Sequence, residues 1–130
     1  MKIKTTSIDQ LEFVVSSILS LIKKNKYILL NGEMGSGKTT LVKLISQKLG
    51  EKSIVNSPTF NIMKVYNEFV HIDAYKITGN LEEYEDFFED KIVFIEWAKN
   101  LVLDYNQFLT IDIELIDENT RIYTIEEHNN

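Results

Sequence analysis

Apolar positions recur along this chain at two spacings, and the alternation between them sets out the expected elements. Ile8, Leu11, Val14, Val15, Ile18, Leu19 and Ile22 fall at helical intervals and predict a helix over 7–22 whose apolar stripe packs on a sheet. Ser7 and Gln10 open it as an S-x-x-Q capping box, and Asn25 closes it. Tyr27-Ile28-Leu29-Leu30 is a continuous apolar run and predicts a buried strand over 27–31. Leu41, Val42, Ile45 and Leu49 return to helical spacing and predict a helix from about Lys38 to Leu49, stopped by Gly50. Phe60–Tyr66 and Phe69–Asp73 read as two strands of a hairpin around Asn67-Glu68. Asn80 as N-cap, with Leu81, Tyr84, Phe87 and Phe88 as an apolar face, predicts a third helix over 80–90. Ile92-Val93-Phe94-Ile95 is the most apolar run and reads as a central strand. Residues 108–117 and 120–126 read as an edge hairpin around Asp117-Glu118-Asn119.

Strands interleaved with helices predict an α/β protein. The expected form is a three-layer fold: a mixed, mostly parallel central sheet flanked by helices, with a C-terminal antiparallel hairpin. The chain of 130 residues, 44% of them hydrophobic, is expected to form one domain, 1–130, with a proper core.

Between the first strand and the second helix stands Gly32-Glu33-Met34-Gly35-Ser36-Gly37-Lys38-Thr39, which fits G-x-x-x-x-G-K-[ST] at every fixed position. The chemistry needs these residue types. Gly35 and Gly37 let the backbone curl with its N–H groups inward, and those groups, with the positive end of the next helix, receive phosphate oxygens. Lys38 then reaches the β- and γ-phosphates, and the Thr39 hydroxyl sits on Mg²⁺. The expected nucleotide contacts are Gly32, Met34, Gly35, Ser36, Gly37, Lys38, Thr39 and Thr40. A plain glycine-rich turn before a helix is the bland alternative.

Two acids end predicted strands near this loop. Asp73 closes the run 69–73, where it either binds Mg²⁺ through water or polarises an attacking water; as a bland alternative it begins a surface loop. Glu96 closes the central run and is placed for Mg²⁺ or water activation. Ser57-Pro58-Thr59-Phe60 carries two hydroxyls on a backbone stiffened by proline and reads as a switch segment or an ordinary turn. His71 reads as a satisfied, partly buried histidine rather than a base, and Trp97 as packing.

Composition narrows the classes. There is no cysteine, so neither disulfides nor thiolate metal sites hold the fold. With two histidines, no histidine metal cluster can be built. No stretch approaches a membrane span and no signal peptide is visible, which predicts a cytoplasmic protein without membrane contact. The net charge is −6 and the only basic cluster is Lys23, Lys24 and Lys26, which disfavours direct nucleic-acid binding. Glu82, Glu83, Glu85, Asp86, Glu89 and Asp90 crowd the polar face of segment 80–90, either as solvated surface or as a docking face for a basic partner. Arg121 is the only arginine.

Gly32 to Thr40, Ser57-Pro58-Thr59-Phe60, His71-Ile72-Asp73-Ala74-Tyr75-Lys76 and Ile95-Glu96-Trp97 occur in this order, and together they resemble the bacterial TsaE (YjeE) family. The resemblance covers nearly the whole chain. It implies a small P-loop ATPase needed for threonylcarbamoyladenosine formation on tRNA. Such a protein acts with a TsaD–TsaB heterodimer that performs the transfer, and it meets tRNA only through that complex. ATP and Mg²⁺ are the implied ligands. The resemblance assigns Mg²⁺ to Thr39 and Glu96, matches Asp73 to the family aspartate, puts Thr59 in a switch-like loop, and makes Lys38, Thr59, Asp73 and Glu96 the expected catalytic set. The chain departs from the family pattern at Lys76, where arginine is usual, and at Ala98, where proline is common. Lysine keeps the charge and loses the bidentate fork.

Two readings from other classes stay open. A small-molecule P-loop kinase would stabilise the transferring phosphoryl group with several arginines and a lid; one arginine and no lid-sized insert argue against it. A non-hydrolysing, ATP-gated adaptor would use the same loop only as a sensor. A GTPase is disfavoured because no N-K-x-D motif follows the loop.

Overall fold

The computed structural model describes residues 1–56 and 62–129. Residues 57–60, with Thr59, lie outside them. Strands β1 (Lys2–Thr5), β2 (Tyr27–Gly32), β3 (Met63–Val65), β4 (Phe69–Asp73), β5 (Ile92–Glu96), β6 (Gln107–Leu115) and β7 (Arg121–Asn129) form a single sheet in the order β1-β7-β6-β2-β5-β4-β3. Strands β4, β5, β2 and β6 run parallel to one another, and antiparallel strands finish the sheet on both sides. All four parallel strands therefore end at one edge, with Asp73 opposite Glu96 and Gly32 opposite Ile113.

Strand alternation decides what faces what. Ile28 and Leu30 of β2, Phe69 of β4, Phe94 of β5, Leu109, Ile111 and Ile113 of β6, and Tyr123 and Ile125 of β7 share one face. Helices α1 (Leu11–Lys24) and α2 (Lys38–Lys48) cover it with Leu11, Val14, Val15, Ile18, Ile22, Leu41, Val42 and Ile45. Each such side chain contributes roughly 1.5–3 kcal/mol by burial. Leu29, Val70, Ile72, Val93 and Ile95 point to the other face, where Leu81, Phe88 and Ala98 close over them.

The first predicted helix begins with a 3₁₀ turn, Ile8–Gln10, before α1. Its capping box does not form: Ser7 makes no side-chain cap, and Gln10 Oε1 accepts from the Thr6 N–H at 2.7 Å instead of from that of Ser7. Asn25 and Gly50 close the two helices as predicted, Gly50 at φ 92° with Glu51 N–H reaching back to Ser46 O at 3.0 Å.

Two expectations are corrected. Segment 80–90 is not an α-helix; it carries a 3₁₀ stretch, Glu82–Phe87, closed by Asp90 at φ 59°. Asn80 Oδ1 does cap the Glu82 N–H at 3.0 Å. Acids three and four apart repel along an α-helix, and they outweigh the apolar periodicity here. Leu81 and Phe88 are buried, whereas Phe87 is 51% exposed and leaves the expected apolar face. The C-terminal hairpin, in turn, is not at the sheet edge. Strand β6 pairs with β2, and β7 is covered by β1, which the sequence reading passed over. Lys2 and Lys4 made that segment look like a polar lead-in, while Thr5 is buried.

Candidate functional site

At the shared carboxyl edge a cleft of about 480 Å³ is lined by Met34, Gly35, Gly37, Lys38, Thr39, Thr40, Asp73, Tyr75, Lys76, Glu96 and Trp97. The structure thus brings together the glycine loop and both strand-end acids. The reason is local. Period-two alternation puts Asp73 on the side of Phe69, and Glu96 on the side of Phe94, which is the side where α2 starts.

The loop is shaped by close packing. A Cβ on Gly32 would lie 2.5 Å from Ser36 Oγ and 2.9 Å from Ile113 O, so only glycine lets the loop turn back over the end of β2. Gly37 holds φ 105° at the N-cap of α2, which glycine adopts without the Cβ penalty. Ser36 is fully buried beneath the turn, and its Oγ has no hydrogen-bond partner.

Lys38 is 5% exposed. Its ammonium donates to Gly32 O at 2.6 Å and Glu33 O at 3.0 Å and lies 4.1 Å from the centre of the Trp97 ring. Burial pushes its pKa below the ordinary lysine value, and the negative charges of Glu96 and Asp73 oppose that shift. Trp97, read from sequence as packing, therefore also faces the loop's cation. It holds φ 59°, its N–H donates to Leu30 O at 3.1 Å, and its ring meets Tyr75 at 4.9 Å. Behind it the turn Ala98–Asn100 is tied to β2 by Lys99 N–H to Asn31 Oδ1 at 3.1 Å and to the end of β4 by Asn100 Nδ2 to Ala74 O at 2.9 Å.

Glu96 is 3% exposed and is the hub of the acids. Thr39 Oγ1 donates to its Oε2 at 2.9 Å and approaches Oε1 at 3.2 Å. His71 Nε2 meets Oε2 at 2.5 Å. A carboxylate in its ionised form only accepts, and the donor of this bond is then Nε2. His71 is fully buried, more than expected, and its Nδ1 has no partner. Asp73 is half-buried and accepts from the Tyr75 N–H at 3.0 Å.

The donor set suits a hard cation. A hydroxyl and neighbouring carboxylates are the few protein oxygens that Mg²⁺ takes when phosphates and water supply the rest. Among the described residues no group of three or more His, Cys, Asp or Glu side chains forms a cage that would hold a metal alone.

One further residue reaches the loop. Arg121, which opens β7, donates from Nε to Ser36 O at 2.9 Å. In the sequence it stands out only as the single arginine. The signal was present: β7 returns antiparallel from the carboxyl edge, and Arg121 shares the parity of Tyr123 and Ile125, both on the helix face.

A parallel core with a glycine loop joining β2 to α2, and acids ending the two adjacent strands, defines an α/β fold of the P-loop NTPase kind. The family model for "Threonylcarbamoyl adenosine biosynthesis protein TsaE" matches residues 5–123, and the chain belongs to that family. A tRNA threonylcarbamoyladenosine biosynthesis protein TsaE of Aquifex aeolicus is 33% identical over 114 residues, covering 83% of this chain and 82% of that protein. The protein of the same name from Streptomyces coelicolor is 34% identical over 96 residues, spanning 65% of each chain. The crystal structure of Bacillus subtilis YdiB superposes with a TM-score of 0.74 at 25% identity, covering 100% of this chain and 86% of that one. No helix among the described residues is long and apolar enough to cross a membrane.

Proposed function

We propose that this chain is a Mg²⁺-dependent ATPase that hydrolyses ATP slowly in the cytoplasm, in support of a TsaD–TsaB complex that modifies tRNA. The observation that carries the reading is the bond from Thr39 to Glu96: it joins the last residue of the glycine loop to the carboxylate ending the neighbouring strand. Loop N–H groups and the start of α2 receive the phosphates, and Lys38 exchanges its carbonyl partners for phosphate oxygens. Thr39 and Glu96 would hold Mg²⁺, with Asp73 reaching it through water. Bound there, the cation would offset charge on the β- and γ-phosphates. Asp73 or Glu96 orients the attacking water, and Thr59 responds to the γ-phosphate. The acidic segment around the exposed Phe87 offers a face to a basic partner protein. Contact with tRNA is made through that complex, in keeping with the net charge of −6.

Trp97 fluorescence during a Mg·ATP titration, paired with phosphate release, tests this. Lys38→Ala is expected to abolish binding at concentrations that saturate the parent protein. Glu96→Gln should keep ATP binding and lose turnover. Capture by purified TsaD–TsaB should require ATP. Wild-type affinity in Lys38→Ala would overturn the phosphate-loop reading, and surviving turnover in Glu96→Gln would remove that residue from catalysis.

A further inference from the structure

The chain holds one arginine, and the fold delivers it to the glycine loop. Two independent features put it there. Strand β7 runs antiparallel to β6 and so begins at the edge where the parallel strands end, with Arg121 opposite Leu115. Alternation then turns Arg121, with Tyr123 and Ile125, toward the helix face where the loop lies. Its Nε donates to Ser36 O at 2.9 Å, and the space a Cβ on Gly37 would take lies 3.8 Å from that same nitrogen. The guanidinium thus lies along the Ser36–Gly37 peptide. None of the ion pairs among the described residues involves it.

We propose that Arg121 is a positioning residue of the phosphate loop. A peptide plane has two ends, and turning the Ser36 carbonyl outward onto Arg121 turns the Gly37 N–H to the opposite side, toward the cleft. A charged donor makes this a strong clamp. Its positive charge also offsets the crowding of phosphate charge at the loop. Arg121 is 85 residues from Ser36 in sequence, so the strand β7, late in the chain, sets the shape of the glycine loop after β2. The inference rests on the reading that this loop binds nucleotide phosphates.

Arg121→Met keeps the aliphatic stem and removes the donor; Arg121→Lys keeps a charge with a shorter, single-point donor. Calorimetric affinities for Mg·ATP and for inorganic tripolyphosphate, with turnover at saturating ATP, test the proposal. Arg121→Met should weaken both ligands by about tenfold, Arg121→Lys should weaken both by less, and turnover at saturating ATP should fall by less than the affinity does. Wild-type tripolyphosphate affinity in folded Arg121→Met overturns the proposal. So does a loss confined to ATP, which would make Arg121 a contact to the nucleoside. If the methionine variant does not fold, the lysine variant decides: unchanged tripolyphosphate affinity there overturns the clamp. Lys38→Ala in parallel separates the two levels. If it too binds both ligands normally, the phosphate reading fails and the role of Arg121 falls with it; if it loses both while Arg121→Met binds normally, only the role of Arg121 is overturned.

Discussion

Glu96 is a carboxylate almost wholly removed from water, and a group in that position persists only if its oxygens are bonded. Thr39 and His71 supply those bonds, both to Oε2. In the proposed function the Thr39 hydroxyl also serves Mg²⁺, whereas the His71 ring bonds to Glu96 alone, its Nδ1 being without a partner. Its removal is expected to cost about 1–3 kcal/mol, the penalty of a buried acceptor that loses its donor. His71→Leu should show that loss in urea unfolding, and His71→Gln, whose amide can still donate, should recover part of it. The leucine variant should also need more Mg²⁺ for half-maximal phosphate release, because a freed carboxylate no longer waits in one orientation. Equal unfolding midpoints for all three proteins would rule out this role. The sequence marked Glu96, Asp73 and Lys38 because each closes or follows a legible local run. It did not mark His71 as Glu96's partner, since that contact depends on a strand pairing between residues 25 apart.

At the scale of elements, the parts read correctly were those with a strong local period: α1, α2, β2, β4 and β5. Those misread were decided by interactions a local pattern does not contain. Segment 80–90 has apolar spacing suited to an α-helix, yet its crowded acids leave it as 3₁₀ turns. Strand β1 is four residues long and half lysine, and it becomes a strand only because β7 offers an unpaired edge, with Met1 O accepting from the Ile125 N–H at 2.8 Å. The junction from β2 to α2 combines both kinds of information. Its glycines were legible, but the reason for the first of them is tertiary. Gly32→Ala would press a methyl group onto Ser36 Oγ and the Ile113 carbonyl of the neighbouring strand. The hydroxyl can turn aside, but the carbonyl belongs to a paired strand. A loss of about 1–3 kcal/mol is expected on unfolding by urea, with weaker ATP binding in the surviving folded protein. Gly50→Ala, which meets nothing within 4 Å but sits at φ 92°, serves as comparison: it should lose about 1 kcal/mol of stability and leave ATP affinity unchanged.

Over the whole molecule the two faces of the sheet are built differently. One carries α1 and α2 and the cleft at its end; the other is closed by short turns and by aromatic packing around Tyr27, Phe88 and Tyr105. Tyr27 and Tyr105 stack with ring centres 3.6 Å apart. The Tyr105 hydroxyl is buried with no hydrogen-bond partner, and burial, followed by charge from Tyr27, Glu85 and Asp104, raises its pKa far above the ordinary tyrosine value. Tyr27 is raised as well, mainly by burial. The consequence for stability has a definite sign. Unfolded tyrosines lose their protons near pH 10 while the folded pair keeps them, so stability is intact below that pH and falls as pH rises above it. Lys38 acts in the opposite sense: its lowered value means that the unfolded chain holds more protons just below the ordinary lysine pKa, and stability there rises with pH. Comparing melting temperatures of the parent protein and Tyr105→Phe from pH 8 to 11 removes the Lys38 contribution, which is common to both. At pH 8 the phenylalanine variant should be as stable or slightly more stable, since it buries no unsatisfied hydroxyl. Above pH 10 its curve should fall less steeply. Parallel curves would mean that the Tyr105 hydroxyl reaches water in solution, and that the face opposite the helices is more open than its packing indicates.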